Sequence, residues 1–282
     1  MLSSPRGLLG ALTATCCFLS MTFANAPARA AAPVPPQPGD FRGYGFDACT
    51  APSGAAMKAW LRSSYRAVGI YFGGNNRGCA QPHLTPSWVR EQVERGWRMI
   101  PLYVGPQASC SQVNKRHRID NRRAAAMGRA AAEDAAWQAG RLGLPPQSVL
   151  FYDMEAYQTG NAACRNGVLA FVHGWTGRLH LLGYLSGFYS SASSGVTDQV
   201  AAYHRSGYDR PDFVNFARWD GAATVHDKVI PVGHWSPQRR MKQYRGPHRE
   251  TWNGVTLNID SNYLDVARVI PVPPTMTPPS AG

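Results

Sequence analysis

A repeated alternation of short apolar runs and helix-patterned segments between residues 43 and 219 constrains this chain more than any other feature. Gly43–Ala48 is a strand candidate, after which Ser53 caps a helix whose Met57, Trp60 and Leu61 share one face. "AVGIYF" (Ala67–Phe72) is a second strand, and Thr85-Pro86, with Pro at the first helical position, opens a helix that ends at Gly96. "RMIPLYV" (Arg98–Val104) is the third strand, followed by an Ala-rich helix from Asp120 to Ala139. Ser148–Ala156 is the fourth, and a helix with Val168, Val172, Trp175, Leu179 and Leu182 in register closes at Gly183. Tyr184–Ser190, a helix over Gly195–Arg205, and Asp212–Trp219 complete the series. Five strand–helix units in a row call for parallel strands with helices outside, in a barrel or an open doubly wound sheet.

The rhythm fails after residue 220. Asp220–Arg239 shows no convincing helix, and only about a dozen residues separate "MKQY" (Met241–Tyr244) from "VTLNID" (Val255–Asp260), too few for a parallel crossover with its helix. A hairpin or irregular closure fits better. The expected fold is therefore α/β, an irregular TIM-like (β/α) barrel with about five regular β/α units followed by three strands with few helices.

The flanks read differently. The first 30 residues hold no acid, an apolar run from Leu8 to Phe23 and then Ala28-Arg29-Ala30, the pattern of a secretory signal peptide with a small-x-small cleavage site. Residues 31–40 and 271–282 are rich in Pro and Ala without apolar period and read as a disordered linker and tail, leaving 41–270 as one barrel domain. Cleavage near Ala30 removes Arg6 and Arg29 and no acid, lowering the formal net charge from +12 to +10. The basic residues are scattered, without a helix-turn-helix, zinc-finger or RNA-binding signature, so nucleic acid is not the expected partner. Electrostatic association with an anionic envelope is.

Of six Cys, Cys16 and Cys17 fall in the leader, and Cys49, Cys79, Cys110 and Cys164 remain. In an oxidising compartment four Cys suggest two disulfides with three possible pairings. All four follow predicted strands and so gather at one end, where neighbouring loops favour Cys49 with Cys79 and Cys110 with Cys164. No C-x-x-C, H-E-x-x-H, G-x-S-x-G or Gly-rich phosphate loop is present, and neither a metal nor another cofactor is expected.

The chemistry is carried by "LFYDMEAY" (Leu150–Tyr157). Strand side chains alternate, so Asp153 and Glu155 share a face at the carboxyl end of strand four, the end at which barrels of this kind build their sites. Asp47 ends strand one, and Asp260 lies in the closing strand, which neighbours strand one if the sheet closes. Crowded carboxylates raise the pKa of at least one member. A protonated acid beside an ionised partner is what cleavage of a glycosidic bond requires. Tyr71, Tyr103, Tyr189 and Trp219 at strand tips offer faces for sugar rings.

"GYGFDACTAPS", "GIYFGG", "DMEAY", "SGFYSS", "FARWDG" and "NIDSNYLD" together resemble the Rv2525c-like glycoside-hydrolase-like domain (DUF1906) family of secreted actinobacterial proteins. More distantly, the chain is similar to family 25 glycoside hydrolases, lysozymes that cut peptidoglycan. The G-x-D of that family matches Gly45-Phe46-Asp47, its D-x-E Asp153-Met154-Glu155, its Q-Y Gln243-Tyr244 and its D-x-N Asp260-Ser261-Asn262. The resemblance implies Glu155 as general acid. It implies Asp153 as stabiliser or nucleophile at the oxocarbenium-like centre, acting directly or through the substrate's acetamido group. Asp47 and Asp260 complete the acidic cluster, and Gln243 joins the substrate-binding residues. The Cys49 and Cys79 loops are not lysozyme features and are an expected source of a narrower or reshaped groove. The implied partner is a cell-wall polysaccharide, bound by a monomer. Hydrolysis and non-catalytic carbohydrate binding by a retained acidic pocket both stand open at this point.

Overall fold

The computed structural model describes Met1 and residues 32–267; the signal peptide expected over 1–30, Met1 apart, and the tail expected over 271–282 lie outside the described residues. The elements run β1 (Phe41–Asp47), α1 (Gly54–Trp60), β2 (Tyr65–Gly73), α2 (Pro86–Glu94), β3 (Arg98–Tyr103), α3 (Ala124–Arg141), β4 (Val149–Asp153), α4 (Ala162–Leu181), β5 (Leu185–Ser191), α5 (Gly195–Ala202), β6 (Phe213–Ala217), β7 (Arg239–Trp252) and β8 (Val255–Val266). The eight strands close in sequence order into a barrel. β1 through β7 run parallel, and β8 is antiparallel to both β7 and β1.

Local chemistry explains the starts of α1, α2 and α4. Ser53 accepts from the Ala56 amide, Thr85 from Trp88 and Asn161 from Cys164, each satisfying a first-turn donor that has no partner within its helix. Strand alternation then divides the core in two. Ala67, Ile100, Leu102, Phe151, Phe213, Met241 and Leu264 fill the barrel. Phe46, Val68, Ile70, Tyr103, Tyr152 and Phe188, one residue out of phase, pack under the helices with Trp60, Trp97, Phe171 and Trp175.

Three sequence expectations change. Residues 33–40, expected as a disordered linker, dock against the amino ends of β3 and β4. Gln37 is fully buried; its amide donates to Ser148 Oγ, its carbonyl accepts from the Val149 amide, and its Oε1 accepts from the Met99 amide. Hydrogen bonding to open strand ends orders the segment, which an apolar-period criterion cannot detect. The fourth strand stops at Asp153 rather than Ala156, so Glu155 stands just beyond the strand and only Asp153 on it. Finally, β7 and β8 extend past the expected "MKQY" and "VTLNID" into one long hairpin. Asn253 and Gly254, at φ 47° and 77°, form its two-residue turn, a geometry that favours this Asn-Gly pair. Register shifts between Gln243 and Arg245 and between Arg245 and His248 accommodate Pro247, which cannot donate to the ladder.

Candidate active site

The inward parity that places Leu264 and Phe151 in the barrel also turns Asp47, Asp153 and Asp260 toward its carboxyl-end mouth. Asp47 and Asp260 lie directly opposite in the β1–β8 ladder. With Glu155, the three line one cavity of about 260 Å³, whose wall also includes Tyr71, Cys49, Arg77, Lys115 and Asn258. Gly69 makes room for Asp47, because a Cβ there would stand 2.4 Å from the Asp47 Cβ.

Asp47 is buried and accepts three hydrogen bonds, from Asn262 Nδ2 at 2.7 Å, Tyr71 Oη at 3.0 Å and Gln243 Nε2 at 3.2 Å. Burial nevertheless holds its carboxyl above the usual range, the three donors only partly opposing that effect. Asp260 is pushed up to about 8 by burial and then by its negative neighbour Asp47. Two carboxyl groups facing each other across a ladder thus favour retention of a proton by the pair.

Asp153 is buried with Oδ1 unpartnered. Burial first, then the charges of Glu155 and Asp47, drive its carboxyl well above the ordinary value; Lys115 pulls the other way. The turn carrying the pair is clamped by Gln107, whose Nε2 donates to the Asp153 carbonyl at 2.8 Å while its Oε1 accepts from the Glu155 amide at 2.7 Å. The intervening Met154 amide still donates to Tyr189 at 3.0 Å. Glu155 is consequently aimed to the same side as Asp153 although it lies past the strand.

Gln243 organises the opposite wall. Its Oε1 accepts from Tyr189 Oη at 3.0 Å and Trp219 Nε1 at 2.9 Å, while Nε2 serves Asp47. Trp219 remains 62% exposed and, with Tyr189, Ser191, Arg218 and Glu155, lines a second cavity of about 370 Å³. Glu155 is the one side chain common to both linings.

Tyr103 is not at this mouth. Its ring packs on Phe72, Tyr152 and Trp175 and its hydroxyl donates to Asp134 Oδ2 at 2.6 Å. It faces the helices because Leu102, its neighbour, takes the inward position; counting by two from Ile100 would have revealed this. Tyr71, Tyr189, Trp219 and Gln243 do gather around the acids. Sequence reasoning missed Gln107, Lys115 and Arg77, which come from irregular loops where no period predicts direction. Both disulfides form, Cys49–Cys79 and Cys110–Cys164, with Cα separations of 5.7 and 5.8 Å. Among the described residues no group of three or more His, Cys, Asp or Glu is arranged to hold a metal ion, and no helix is long and apolar enough to cross a membrane.

Known structures share this architecture at low identity. An uncharacterized protein of B. stearothermophilus superposes with a TM-score of 0.50 at 18% identity, covering 79% of this chain and 95% of the other. The Clostridium perfringens spore cortex lytic enzyme SleM does so with 0.52 at 14% identity, over 79% and 67%. No curated protein sequence matches the chain. The Rv2525c-like, glycoside hydrolase-like domain matches residues 58–264, a span from α1 to β8 that contains Asp153, Glu155, Gln243, Asp260 and Asn262, and the chain belongs to that family.

Proposed function

We propose that this is a secreted glycoside hydrolase of the bacterial envelope that cleaves a glycosidic bond of cell-wall polysaccharide of the peptidoglycan type. The observation that carries this reading is the position of Glu155 between two cavities, one floored by Asp47, Asp153 and Asp260 and the other walled by Trp219 and Tyr189. A glycan lying across both presents the oxygen between two sugars to that carboxyl group.

Asp153 and Glu155 repel each other when both are charged, which with burial favours a proton on the pair. That proton passes to the bridging oxygen as the bond from the anomeric carbon to it breaks. The proton's departure leaves two carboxylates against a positive, oxocarbenium-like carbon, turning repulsion in the resting site into attraction in the transition state. Glu155 delivers the proton, and Asp153 supports the cationic carbon directly or through an acetamido group. Water then adds to that carbon, and its proton returns to the carboxylate pair. Asp47 and Asp260 anchor the floor, and Gln243 orients the aromatic wall. The shared fold with a spore cortex lytic enzyme supports a wall glycan, and two disulfides suit an oxidising compartment. The basic surface suits an anionic envelope, with the protein acting as a monomer.

Loss of turbidity of purified cell walls tests the proposal. Wild type is expected to clear them, and Glu155→Gln to lose about 10²- to 10⁴-fold in rate while still sedimenting with walls. A wild type that sediments with walls but releases no sugar would establish carbohydrate binding without catalysis.

A further inference from the structure

Two cations outside the acidic set stand at the cavity that holds the four carboxylates. Arg77 comes from the loop after β2 and Lys115 from the loop after β3. Each loop is fastened by its own disulfide: Cys79 lies two residues beyond Arg77 and is tied to Cys49, and Cys110 lies five before Lys115 and is tied to Cys164. Asn76 joins the two loops, its Nδ2 donating to the carbonyls of Gly105 and His117 and its Oδ1 accepting from the His117 amide.

Neither cation is neutralised by contact. Among the described ion pairs none involves Arg77 or Lys115. Lys115 Nζ donates to the Asn76 carbonyl at 3.4 Å, and Arg77 Nη1 to the carbonyls of Tyr71 and Phe72 at 3.4 and 3.3 Å. Two covalently tied loops thus bring unpaired positive charge to the edge of an acidic floor.

We infer that Arg77 and Lys115 are specificity-determining residues that read an anionic substituent, a carboxylate or phosphate, on the glycan bound in this cavity. This rests on the reading of the cavity as a glycan site. A guanidinium fork matches the geometry of carboxylate and phosphate oxygens, and a half-buried ammonium is screened less than a surface one. The floor does not repel such a ligand with four full charges, because burial keeps Asp47 and Asp153 above the ordinary carboxylate range.

Calorimetric binding to the full chain carrying Glu155→Gln, which prevents turnover, tests this with three probes: neutral chitopentaose, a muramic-acid-containing tetrasaccharide with free carboxylates, and a phosphate-substituted chitooligosaccharide. At least one anionic probe is expected to bind about tenfold or more tightly than the neutral one, an advantage that shrinks as salt rises. Which probe wins identifies the anion. Arg77→Gln with Lys115→Gln brings the affinity ratio near one, whereas Arg77→Lys with Lys115→Arg retains it. A ratio near one before the cations are removed, or one unchanged afterwards, overturns the inference. Equal binding of all probes by a protein that clears walls removes this inference alone. Anion preference without sugar release removes hydrolysis alone, and binding of no probe removes both.

Discussion

The acids at the floor of the cavity stand on or just past strands β1, β4 and β8, whereas the cations at its rim stand on loops held by disulfides. Asp47, Asp153 and Asp260 are set by ladder hydrogen bonds and by side-chain alternation, the rules that build the barrel, whereas Glu155, just past its strand, is held by Gln107. The rim stands on loops outside the barrel ladder, held by two covalent links, Asn76 and isolated bridges such as Gln107 with Arg118. The difference teaches that three of the four carboxylates are tied to the barrel itself, while the cations proposed to set selectivity stand on loops, one of which also holds Glu155 through Gln107.

If that division holds, the largest expected effect on folding stability comes from the rim's fastening. Cys110→Ser with Cys164→Ser opens a link between residues 54 apart, worth about 4 kcal/mol by loop-closure entropy. Denaturant unfolding should show that loss, and binding of anionic probes should weaken more than binding of neutral ones because Lys115 is no longer held. Equal weakening of both would break the comparison.

A smaller loss is expected at the floor. Gln243→Leu removes one donor from Asp47 and leaves Tyr189 Oη and Trp219 Nε1 without their acceptor, at a cost of about 2–3 kcal/mol in unfolding free energy. Because this change leaves the rim loops tied, the preference among probes should survive while wall clearing slows. A selective loss of anion binding would contradict the separation.

The third effect is a change of slope with pH. Asp260 is raised from 3.8 to about 8, so between these values the folded chain holds more protons at this position than the unfolded chain. Stability from this group is full below pH 4 and is lost as pH rises through about 8. Melting temperatures of Asp260→Asn measured from pH 5 to 9 should fall less steeply than those of wild type. A parallel pair of curves would show that the floor does not retain the proton.

How much could be read in advance follows the same boundary. From residue 43 to 219 the alternation of apolar runs and helix-patterned segments marks each regular unit, because each strand and helix must bury one side of itself. The pair at Asp153 and Glu155 is visible for its spacing, and Asp47 for its place at a strand tip. Tyr103 misled because aromatic character is shared by both faces of a strand and only parity separates them. Gln37 escaped notice because a single amide satisfying the amino ends of β3 and β4 leaves no pattern. Arg77, Gln107 and Lys115 escaped because loop direction depends on partners far away in the chain.

By itself, the sequence determined the regular β/α units, their order and the chemical types available at strand ends, since periodicity and capping are local properties. Only the tertiary structure decided that Asp260 faces Asp47, that Gln243 reaches Asp47, Tyr189 and Trp219 at once, and that two tied loops set Arg77 and Lys115 beside the acids. Those contacts join residues up to 215 positions apart, and closure of the β1–β8 ladder, rather than any local preference, brings them within hydrogen-bonding distance.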